Sequence, residues 1–341
     1  MNERPIIAVD AMGGDFGPSV VVPGAIEAAR LYDLHVQLVG DTPKLEAELE
    51  KLDLTDVHFD IVHADDVVHM NEKPSDILRR KKNSSIQVAC RQVKDGAADA
   101  VVSAGHSGAT VACGMFIMGR LPGVERPALA TLLPTEKNPV VVLDVGANVD
   151  CRPYHLFQFG LMGDAFARDL LGYASPRVSI LSIGEEEGKG NSQVKEAYDL
   201  LKMAQNLNFA GNAEGRDIFI GNIDVVVCDG FVGNVALKAS EGLAQMMATF
   251  LRQEFGRNLY TKLAALVALP VLKHFKRRVD HRRYNGASLL GLKGIVVKSH
   301  GSADVFSFCN ALERAADTVR SGVLARITER VAQQQPVQET A

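Results

Sequence analysis

Apolar and polar positions along the chain fall into blocks that predict strands and helices in turn. A short apolar run over residues 6–10 predicts a buried strand, residues 21–31 have helical spacing, and residues 36–40 are apolar again. A charged helix over residues 44–52 and a strand near residues 58–63 continue the series. This strand–helix–strand order predicts a mainly parallel sheet with helices on both faces.

The most informative stretch is residues 100–112, where an apolar strand runs into a turn of small polar residues and then into a helix. Gly105 and Gly108 allow positive φ and let a ligand approach the backbone closely. We expect Ser107 or Thr110 to cap the helix, which leaves the first N–H groups open to an anion such as phosphate. An ordinary strand-to-helix turn is the alternative. No Gly-Lys-Ser/Thr follows, so the loop is not a Walker A motif.

Several other apolar strands end in loops that combine glycine with Asn, Asp, Ser or Glu. In open α/β sheets, ligands bind at the carboxyl ends of strands, so these loops predict a single shared active-site edge. The loops are residues 11–19, 145–150, 184–191, 209–215, 228–234 and 298–303.

Residues 236–283 have a different character, with helical spacing and no strand signals. Their middle is apolar, with Leu266 and Leu269 before Pro270, and their end is basic. Three interpretations remain open: a core or dimer-interface helix pair, an interfacial helix on an anionic membrane surface, and a docking surface for an acidic protein. The basic positions are Lys273, Lys276, Arg277, Arg278, Arg282 and Arg283.

The chain closes with an amphipathic helix predicted over residues 305–327 and a polar tail predicted to be disordered over residues 331–341. We therefore expect one α/β catalytic domain over residues 1–330, with residues 236–283 as a helical protrusion.

Composition limits the functions that this chain can have. It has 341 residues, of which 47% are hydrophobic, and its net charge of −4 argues against broad nucleic-acid binding. Its five cysteines lack Cys-x-x-Cys spacing and its nine histidines lack His-Glu-x-x-His spacing, so no metal site is predicted. The chain also lacks a signal peptide and a long apolar span, which predicts a cytoplasmic location, at most peripheral to the membrane.

Eight segments, in order along nearly the whole chain, resemble the bacterial phosphate acyltransferases, which make acyl-phosphate from acyl-[acyl-carrier protein]. So many segments in the right order are far more specific than any one glycine-rich loop. They are AVDAMGGDFGP (8–18), SAGHSGAT (103–110), LDVGANVDCRP (143–153), LSIGEEEGKGN (181–191), FAGNAEGRD (209–217), CDGFVGN (228–234), YNGASLLG (284–291) and SHGSAD (299–304).

The resemblance implies a three-layer αβα fold similar to phosphotransacetylases and to isocitrate and isopropylmalate dehydrogenases. It also implies a homodimer without a cofactor that associates loosely with the inner face of the cell membrane. In that family, the acyl-phosphate passes to a membrane glycerol-3-phosphate acyltransferase for phospholipid synthesis.

The implied reaction is the attack of inorganic phosphate on a long-chain fatty-acyl thioester. Such a site must position two anionic partners and supply donors to the developing oxyanion. As catalytic residues we predict His106, Ser107, Asn148 and Asn234. The predicted substrate-binding residues are Gly13, Gly14, Asp15, Ser103, Gly105, Gly108, Thr110, Asp144, Lys189, Asn212, Asp229, Lys298 and His300.

Within this set, we expect the hydroxyls of Ser103, Ser107 and Thr110 to cradle phosphate and His106 to orient it or donate to the oxyanion. A turn histidine bonded to the backbone is the alternative for His106. The three asparagines are candidate amide donors, with Asp144 and Asp229 orienting them. Asp15 would repel phosphate, so we expect it to hold a cation or cap a helix.

Four other mechanisms or functions compete with this hypothesis. Cys151 or Cys228 could carry a covalent acyl group, although a buried free cysteine is common as a small hydrophobic residue. A phosphotransacetylase would use short acyl-coenzyme A. A dehydrogenase of the isopropylmalate type and an inactive membrane scaffold are the remaining alternatives.

Overall fold

Eleven strands form one sheet in the computed structural model, which describes residues 4–333. Apolar runs of four to six residues, rich in Val, Ile and Leu, build most of these strands. They are β1 (Ile6–Asp10), β2 (His35–Gly40), β3 (His58–His63), β4 (Ala100–Ser103), β5 (Ala128–Leu133), β6 (Val140–Leu143), β7 (Val178–Leu181), β8 (Phe209–Ala213), β9 (Val225–Val227), β10 (Ala287–Leu290) and β11 (Ile295–Lys298).

Helices connect most of the strands. A π-helical turn over Gly114–Met118 and a 3₁₀ turn over His281–Tyr284 supplement them. The helices are α1 (Pro18–Tyr32), α2 (Thr42–Leu49), α3 (Pro74–Arg80), α4 (Ser85–Lys94), α5 (Ser107–Cys113), α6 (Pro153–Leu171), α7 (Ser192–Met203), α8 (Asp217–Ile220), α9 (Gly230–Gly256), α10 (Leu259–Val279), α11 (Val305–Ser321) and α12 (Val323–Gln333).

The sheet is mainly parallel, as predicted, and has the strand order β3-β2-β1-β4-β11-β10-β5-β6-β9-β7-β8. Three neighbouring pairs are antiparallel: β11 with β10, β10 with β5, and β5 with β6. These three reversals make β6, β9, β7 and β8 run opposite to β1, β4 and β11. The two groups of parallel strands therefore point their carboxyl ends to opposite edges of the sheet.

Alternate strand residues are buried against different helical layers, which explains why the strands read as continuous apolar runs. In β1, Ile7 and Val9 pack into a core with α1 and α11, whereas Ala8 packs on the other face with α4. In the second half of the sheet, Val141 and Leu143 pack against α6. The result is a three-layer αβα architecture.

Three features of the fold differ from the sequence prediction. Residues 209–213, predicted as part of a polar loop, form the edge strand β8, which needs a ladder partner on one side only. The predicted closing helix is two helices, because α11 ends at Gly322 with φ 69°, in the left-handed region. Helix α12 continues to Gln333, and most of the predicted tail lies outside the described residues.

Helices α9 and α10 form a long hairpin, as expected for residues 236–283. Only Gly230 and Gly233 are buried in α9, and α10 has no buried residue. Leu266 is 66% exposed and Leu269 is 41% exposed. Within residues 4–333, no helix combines the length and the apolar character that crossing a membrane requires.

Candidate functional site

A buried carboxylate, Asp10, organises the loops at the first sheet edge. Ser85 Oγ donates to Asp10 Oδ1 and Ser103 Oγ donates to Asp10 Oδ2, both at 2.6 Å. Burial raises the pKa of Asp10 above its ordinary value, and the two hydroxyl donors and the Lys298 charge oppose that rise. The hydroxyl proton of Ser103 is therefore committed to Asp10, so Ser103 shapes the loop instead of donating to a substrate.

Close backbone packing joins the loops that follow β1, β4 and β11. A Cβ on Gly13 would lie 2.7 Å from both Gly105 N and Asp10 Oδ2, so only glycine permits this approach. Asp15 N donates to Gly301 O at 2.9 Å, which ties the third loop to the first. The predicted residues Gly13, Gly14, Ser103, Gly105 and His300 thus come together at one edge.

His106 is the N-cap of α5, a role that we had predicted for Ser107 or Thr110. Its Nδ1 accepts from Ala109 N at 3.1 Å, so in the neutral ring the proton is on Nε2. Thr110 Oγ1 donates to His106 O at 3.1 Å, which commits that hydroxyl to the helix. The histidine is bonded to the backbone, as the alternative interpretation held, and it still offers Nε2–H as a donor.

The start of α5 keeps open donors. No acceptor among the described residues bonds the N–H groups of Ser107 and Gly108. The cavity beside Asp10, Gly105 and His106 measures about 10 Å³, room for about one water molecule. The cavity itself is therefore too small to hold phosphate.

Lys298 brings positive charge to the same edge. It ends β11, next to Ser103 of β4 in the parallel register. Burial lowers the pKa of Lys298 to about 8, and the nearby Lys238 charge adds to this decrease. The charges of Asp10 and Asp15 oppose it. At neutral pH the ammonium is mostly charged, and it is the cation near Asp15. Asp15 does not cap a helix, because Gly17 is the N-cap of α1.

His300 connects this edge to α9. Its Nε2 lies 2.8 Å from Lys238 Nζ and its Nδ1 lies 2.9 Å from Ser302 Oγ. Ser302 N–H also donates to Nδ1, at 3.3 Å. His300 therefore links Lys238 of α9 to the loop after β11.

A second polar group surrounds Asp144 at the end of β6. Its Oδ1 accepts from the N–H groups of Leu129, Gly146 and Ala147 at 2.9, 3.1 and 3.0 Å. Its Oδ2 accepts from N and Nδ2 of Asn148 at 2.7 and 2.8 Å. Burial raises the pKa of Asp144, and these donors pull it back towards its ordinary value. Asp144 therefore holds the loop together.

Asn148 has no amide proton left for a substrate. Its Nδ2 donates to Asp144 Oδ2 and also to Pro127 O at 2.7 Å, which uses both protons of the amide. The predicted role of Asn148 as an amide donor does not fit this geometry, and only its Oδ1 remains open as an acceptor.

Asn234 keeps the amide donor that Asn148 lacks. It is exposed in the first turn of α9 and has no side-chain hydrogen bond within residues 4–333. A Cβ on Gly146 would lie 3.8 Å from its side chain, so Asn234 faces the Asp144 loop. Asp229 caps α9, with Oδ1 accepting from the N–H groups of Phe231 and Val232.

Lys189 lies in the loop after β7 and Asn212 lies in the edge strand β8, apart from both groups. Asn212 Nδ2 donates to Glu186 O at 2.8 Å, and its buried Oδ1 has no partner among the described atoms. Lys189 is exposed on the same loop as Glu186. In the described chain, no hydrogen bond or ion pair joins either residue to the Asp10 or the Asp144 group.

The prediction of one shared active-site edge is wrong, because the strands before these loops run in opposite directions. The loops after β1, β4 and β11 lie at one edge, and those after β6, β9 and β7 lie at the other. Helix α9 connects the edges: it starts beside Asp144, and Lys238, about 12 Å along the helix, reaches His300.

The two cysteines nearest Asp144 do not favour covalent catalysis. Burial raises the pKa of Cys151 to about 12 and raises that of Cys228 well above its ordinary value, with the Asp144 charge adding to both. Both thiols stay protonated at neutral pH, whereas the thiolate is the nucleophile.

The basic end of the hairpin is partly neutralised. Arg282 pairs with Asp280 and Asp304 at 2.8 and 2.7 Å, which raises its pKa. Lys273, Lys276, Arg277 and Arg283 border a cavity of about 340 Å³ beside Phe306. These cations lie next to the exposed apolar residues of α10.

Comparisons with known proteins give both relatives and structural neighbours. The family model described as fatty acid synthesis protein matches residues 6–326. A phosphate acyltransferase of Lawsonia intracellularis is 63% identical over 317 residues, 92% of this chain and 91% of the relative. One from Nitratidesulfovibrio vulgaris is 61% identical over 326 residues, 96% of this chain and 94% of the relative.

The solved structures similar to this fold share little sequence with it and inform the fold alone. A phosphotransacetylase from Streptococcus pyogenes has a TM-score of 0.65 at 16% identity, covering 94% of this chain and 95% of the other. A 4-hydroxythreonine-4-phosphate dehydrogenase from Klebsiella pneumoniae has a TM-score of 0.53 at 14% identity, covering 93% and 100%. Both groups of neighbours fit the predicted fold class.

Proposed function

Since the chain belongs to the phosphate acyltransferase family, we propose that it reversibly transfers a long-chain fatty acyl group from acyl-[acyl-carrier protein] to inorganic phosphate. The product is acyl-phosphate for phospholipid synthesis. The observation that carries this proposal is the first sheet edge, where the open N–H groups of Ser107 and Gly108 lie beside a strand that ends at Lys298. Backbone N–H groups and a nearby cation are a recurring means of binding phosphate.

The chemistry needs positioning more than a strong base. A phosphoryl group has a second pKa of about 6, so phosphate is already a good nucleophile at neutral pH. One of its oxygens bonds to the thioester carbonyl carbon, and the C–S bond then breaks as the oxyanion collapses. The thiolate that leaves takes a proton from solvent.

This chain offers several hydrogen-bond donors and one cation for these steps. Ser107 and the Nε2–H of His106 would orient phosphate at the mouth of the Asp10 cavity, with Lys298 balancing its charge. Asn234, one helical turn (about 6 Å) before Lys238 on α9, would donate to the carbonyl oxygen of the thioester that phosphate attacks. Preorganised donors of this kind account for a large part of acyl-transfer catalysis.

Product and donor can be tested together with the wild-type protein. Thiol release is measured from palmitoyl-[acyl-carrier protein] and from palmitoyl-coenzyme A, each with and without phosphate, and hydroxylamine traps acyl-phosphate. We expect phosphate-dependent release from the carrier-protein donor and a trapped hydroxamate. Release from the coenzyme A donor alone would favour the phosphotransacetylase alternative, and release without phosphate would contradict the proposal.

We also propose that the protein works as a homodimer at the inner membrane face and passes acyl-phosphate to a membrane glycerol-3-phosphate acyltransferase. Support comes from the hairpin, which places exposed Leu266 and Leu269 next to the basic end of α10. Apolar residues beside cations suit an anionic lipid surface. A second subunit and the carrier protein are the alternative occupants of this hairpin.

A further inference from the structure

A cavity of about 590 Å³ lies beside the N-terminus of α6, away from the Asp10 loops. Three arginines line it, Arg120, Arg126 and Arg152, together with Glu125 and His155. It adjoins the Asp144 group, because Asn148 Nδ2 donates to the carbonyl of Pro127, the residue after Arg126. None of these arginines was singled out by the sequence patterns.

The cavity has more positive charge than its single carboxylate can balance. Arg152 pairs with Glu125, and His155 Nε2 lies 3.0 Å from the same carboxylate oxygen. His155 Nδ1 accepts from Arg152 N at 3.0 Å, and burial together with the Arg152 charge lowers the pKa of His155, so the ring is neutral. The one carboxylate is thus used by Arg152.

Two guanidinium groups have no carboxylate partner among residues 4–333. Arg126 is exposed and forms no hydrogen bond or ion pair within the described part of the chain. Arg120 donates only to the backbone oxygen of Glu125. Arginine pairs present planar forks of donors that match phosphate oxygens, and the N-terminal end of the 19-residue helix α6 adds a favourable dipole.

The opposite wall of the cavity is apolar. Met115 and Phe116, from the π-helical turn after α5, face the arginines, and Phe116 is 74% exposed. Inorganic phosphate would leave this wall in water. A phosphate ester that carries an aliphatic arm satisfies the arginines and also covers Phe116, so the two walls together favour an esterified phosphate.

We propose that this cavity binds the phosphodiester of the pantetheine arm of the thioester donor, with Arg126 and Arg120 as the phosphate ligands. The inference rests on the proposed function, because it assumes a donor whose acyl group is carried on phosphopantetheine. The arm would then cross the Asp144 loop and bring its thioester to Asn234, one helical turn from Lys238 and next to the phosphate at the Asp10 edge.

The test compares 4′-phosphopantetheine with pantetheine, which lacks the phosphate, by calorimetric titration of the full-length protein. Arg126→Gln is the test variant, and Arg30→Gln is the control, an exposed arginine on α1 that donates to Asp53 O. We expect the wild type and Arg30→Gln to bind phosphopantetheine about tenfold or more tightly than pantetheine, and Arg126→Gln to lose that preference. The KM for acyl-[acyl-carrier protein] should rise in parallel, with the KM for phosphate unchanged.

The outcomes separate this inference from the proposed function. Normal phosphate-dependent turnover in Arg126→Gln, with the preference for phosphopantetheine retained, overturns the inference and leaves the function intact. A wild type without phosphate-dependent turnover contradicts the function, and the direct titration still decides the cavity. If Arg126→Gln instead weakens only inorganic phosphate binding, the cavity is a phosphate site and the inference is wrong.

Discussion

Lys298 is the residue whose charge is most sensitive to its surroundings at the proposed phosphate site. Its pKa is lowered to about 8 by burial, so the ammonium is present below pH 8 and is lost as the pH rises through that value. Inorganic phosphate is almost entirely a dianion between pH 8 and 9, because its second ionisation is nearly complete by pH 8. Any change in phosphate binding between pH 8 and 9 therefore reports on the protein.

We predict that the KM for phosphate in the wild type rises as the pH increases from 8 to 9. In Lys298→Met the KM should be about tenfold higher at pH 7, with no such rise, because the charge is already absent. Lys293→Met, an exposed lysine on the connection to β11, is the control. A wild-type pH profile retained in Lys298→Met would contradict the role of Lys298.

Residue types and spacing predicted which loops carry polar chemistry but not which atoms are free. Asp10 was missed as the organising carboxylate, although a carboxylate that ends an apolar strand before Gly13-Gly14 was a usable signal. The hydrogen bonds of Asn148 depend on Pro127, 21 residues away, and no local pattern reveals such a contact. The sequence thus proposed both Asn148 and Asn234 as amide donors, and the hydrogen bonds within residues 4–333 leave only the amide of Asn234 open of these two.

Helix α9 depends at its start on a close approach between two backbones. A Cβ on Gly233 would lie 1.9 Å from Asp144 O and 2.8 Å from Cys228 Sγ, whereas a Cβ on Gly242, further along the same helix, meets nothing within 4 Å. Replacing Gly233 by alanine therefore tests backbone packing, whereas replacing Gly242 by alanine tests intrinsic helix propensity.

We predict that Gly233→Ala lowers the free energy of unfolding by about 3 kcal/mol or more, because the new methyl group overlaps the Asp144 backbone. Gly242→Ala should raise helical stability by about 0.5–1 kcal/mol, because alanine loses less backbone entropy. Urea unfolding followed by circular dichroism measures both. Equal effects in the two variants would show that α9 is not held against Asp144 in this way.

Element types were largely predictable because apolar periodicity fixes them, and the exceptions have local causes. Strand β8 carries Gly211 and Asn212, which are typical of loops, but an edge position tolerates them. The break between α11 and α12 occurs at Gly322, a residue whose left-handed conformation ends a helix without strain. In the sequence, the only local signals were Gly211 and Asn212 for the edge strand and Gly322 for the helix break.

At the scale of the whole molecule, the antiparallel strands β10 and β5 decide where the chemistry lies. They reverse the strand direction, so the loops divide between two sheet edges that α9 connects. Sequence patterns predict strands but not the order in which they pair across nearly 200 residues. The family resemblance predicted the fold class, whereas the separation of the loops onto two sheet edges follows only from the strand order and directions.

The protruding hairpin should determine how the whole molecule meets a membrane. We predict that the double variant Leu266→Glu/Leu269→Glu binds vesicles containing phosphatidylglycerol at least about tenfold more weakly, because it loses apolar burial. Its stability should be unchanged, since α10 has no buried residue. Leu31→Glu/Met203→Glu, at exposed positions 61% and 71% accessible elsewhere, is the matched control. Vesicle cosedimentation measures the binding, and equal binding by both double variants would exclude the membrane role.

The most direct test of phosphate binding at the Asp10 edge is the kcat/KM for phosphate in His106→Asn. Asparagine preserves the N-cap acceptor of α5 and removes the Nε2 donor, so folding should be unaffected. With palmitoyl-[acyl-carrier protein] as donor, we predict a loss of about tenfold or more relative to His58→Asn, an exposed histidine on the edge strand β3. A kcat/KM equal to that of the control would place phosphate elsewhere and contradict the account.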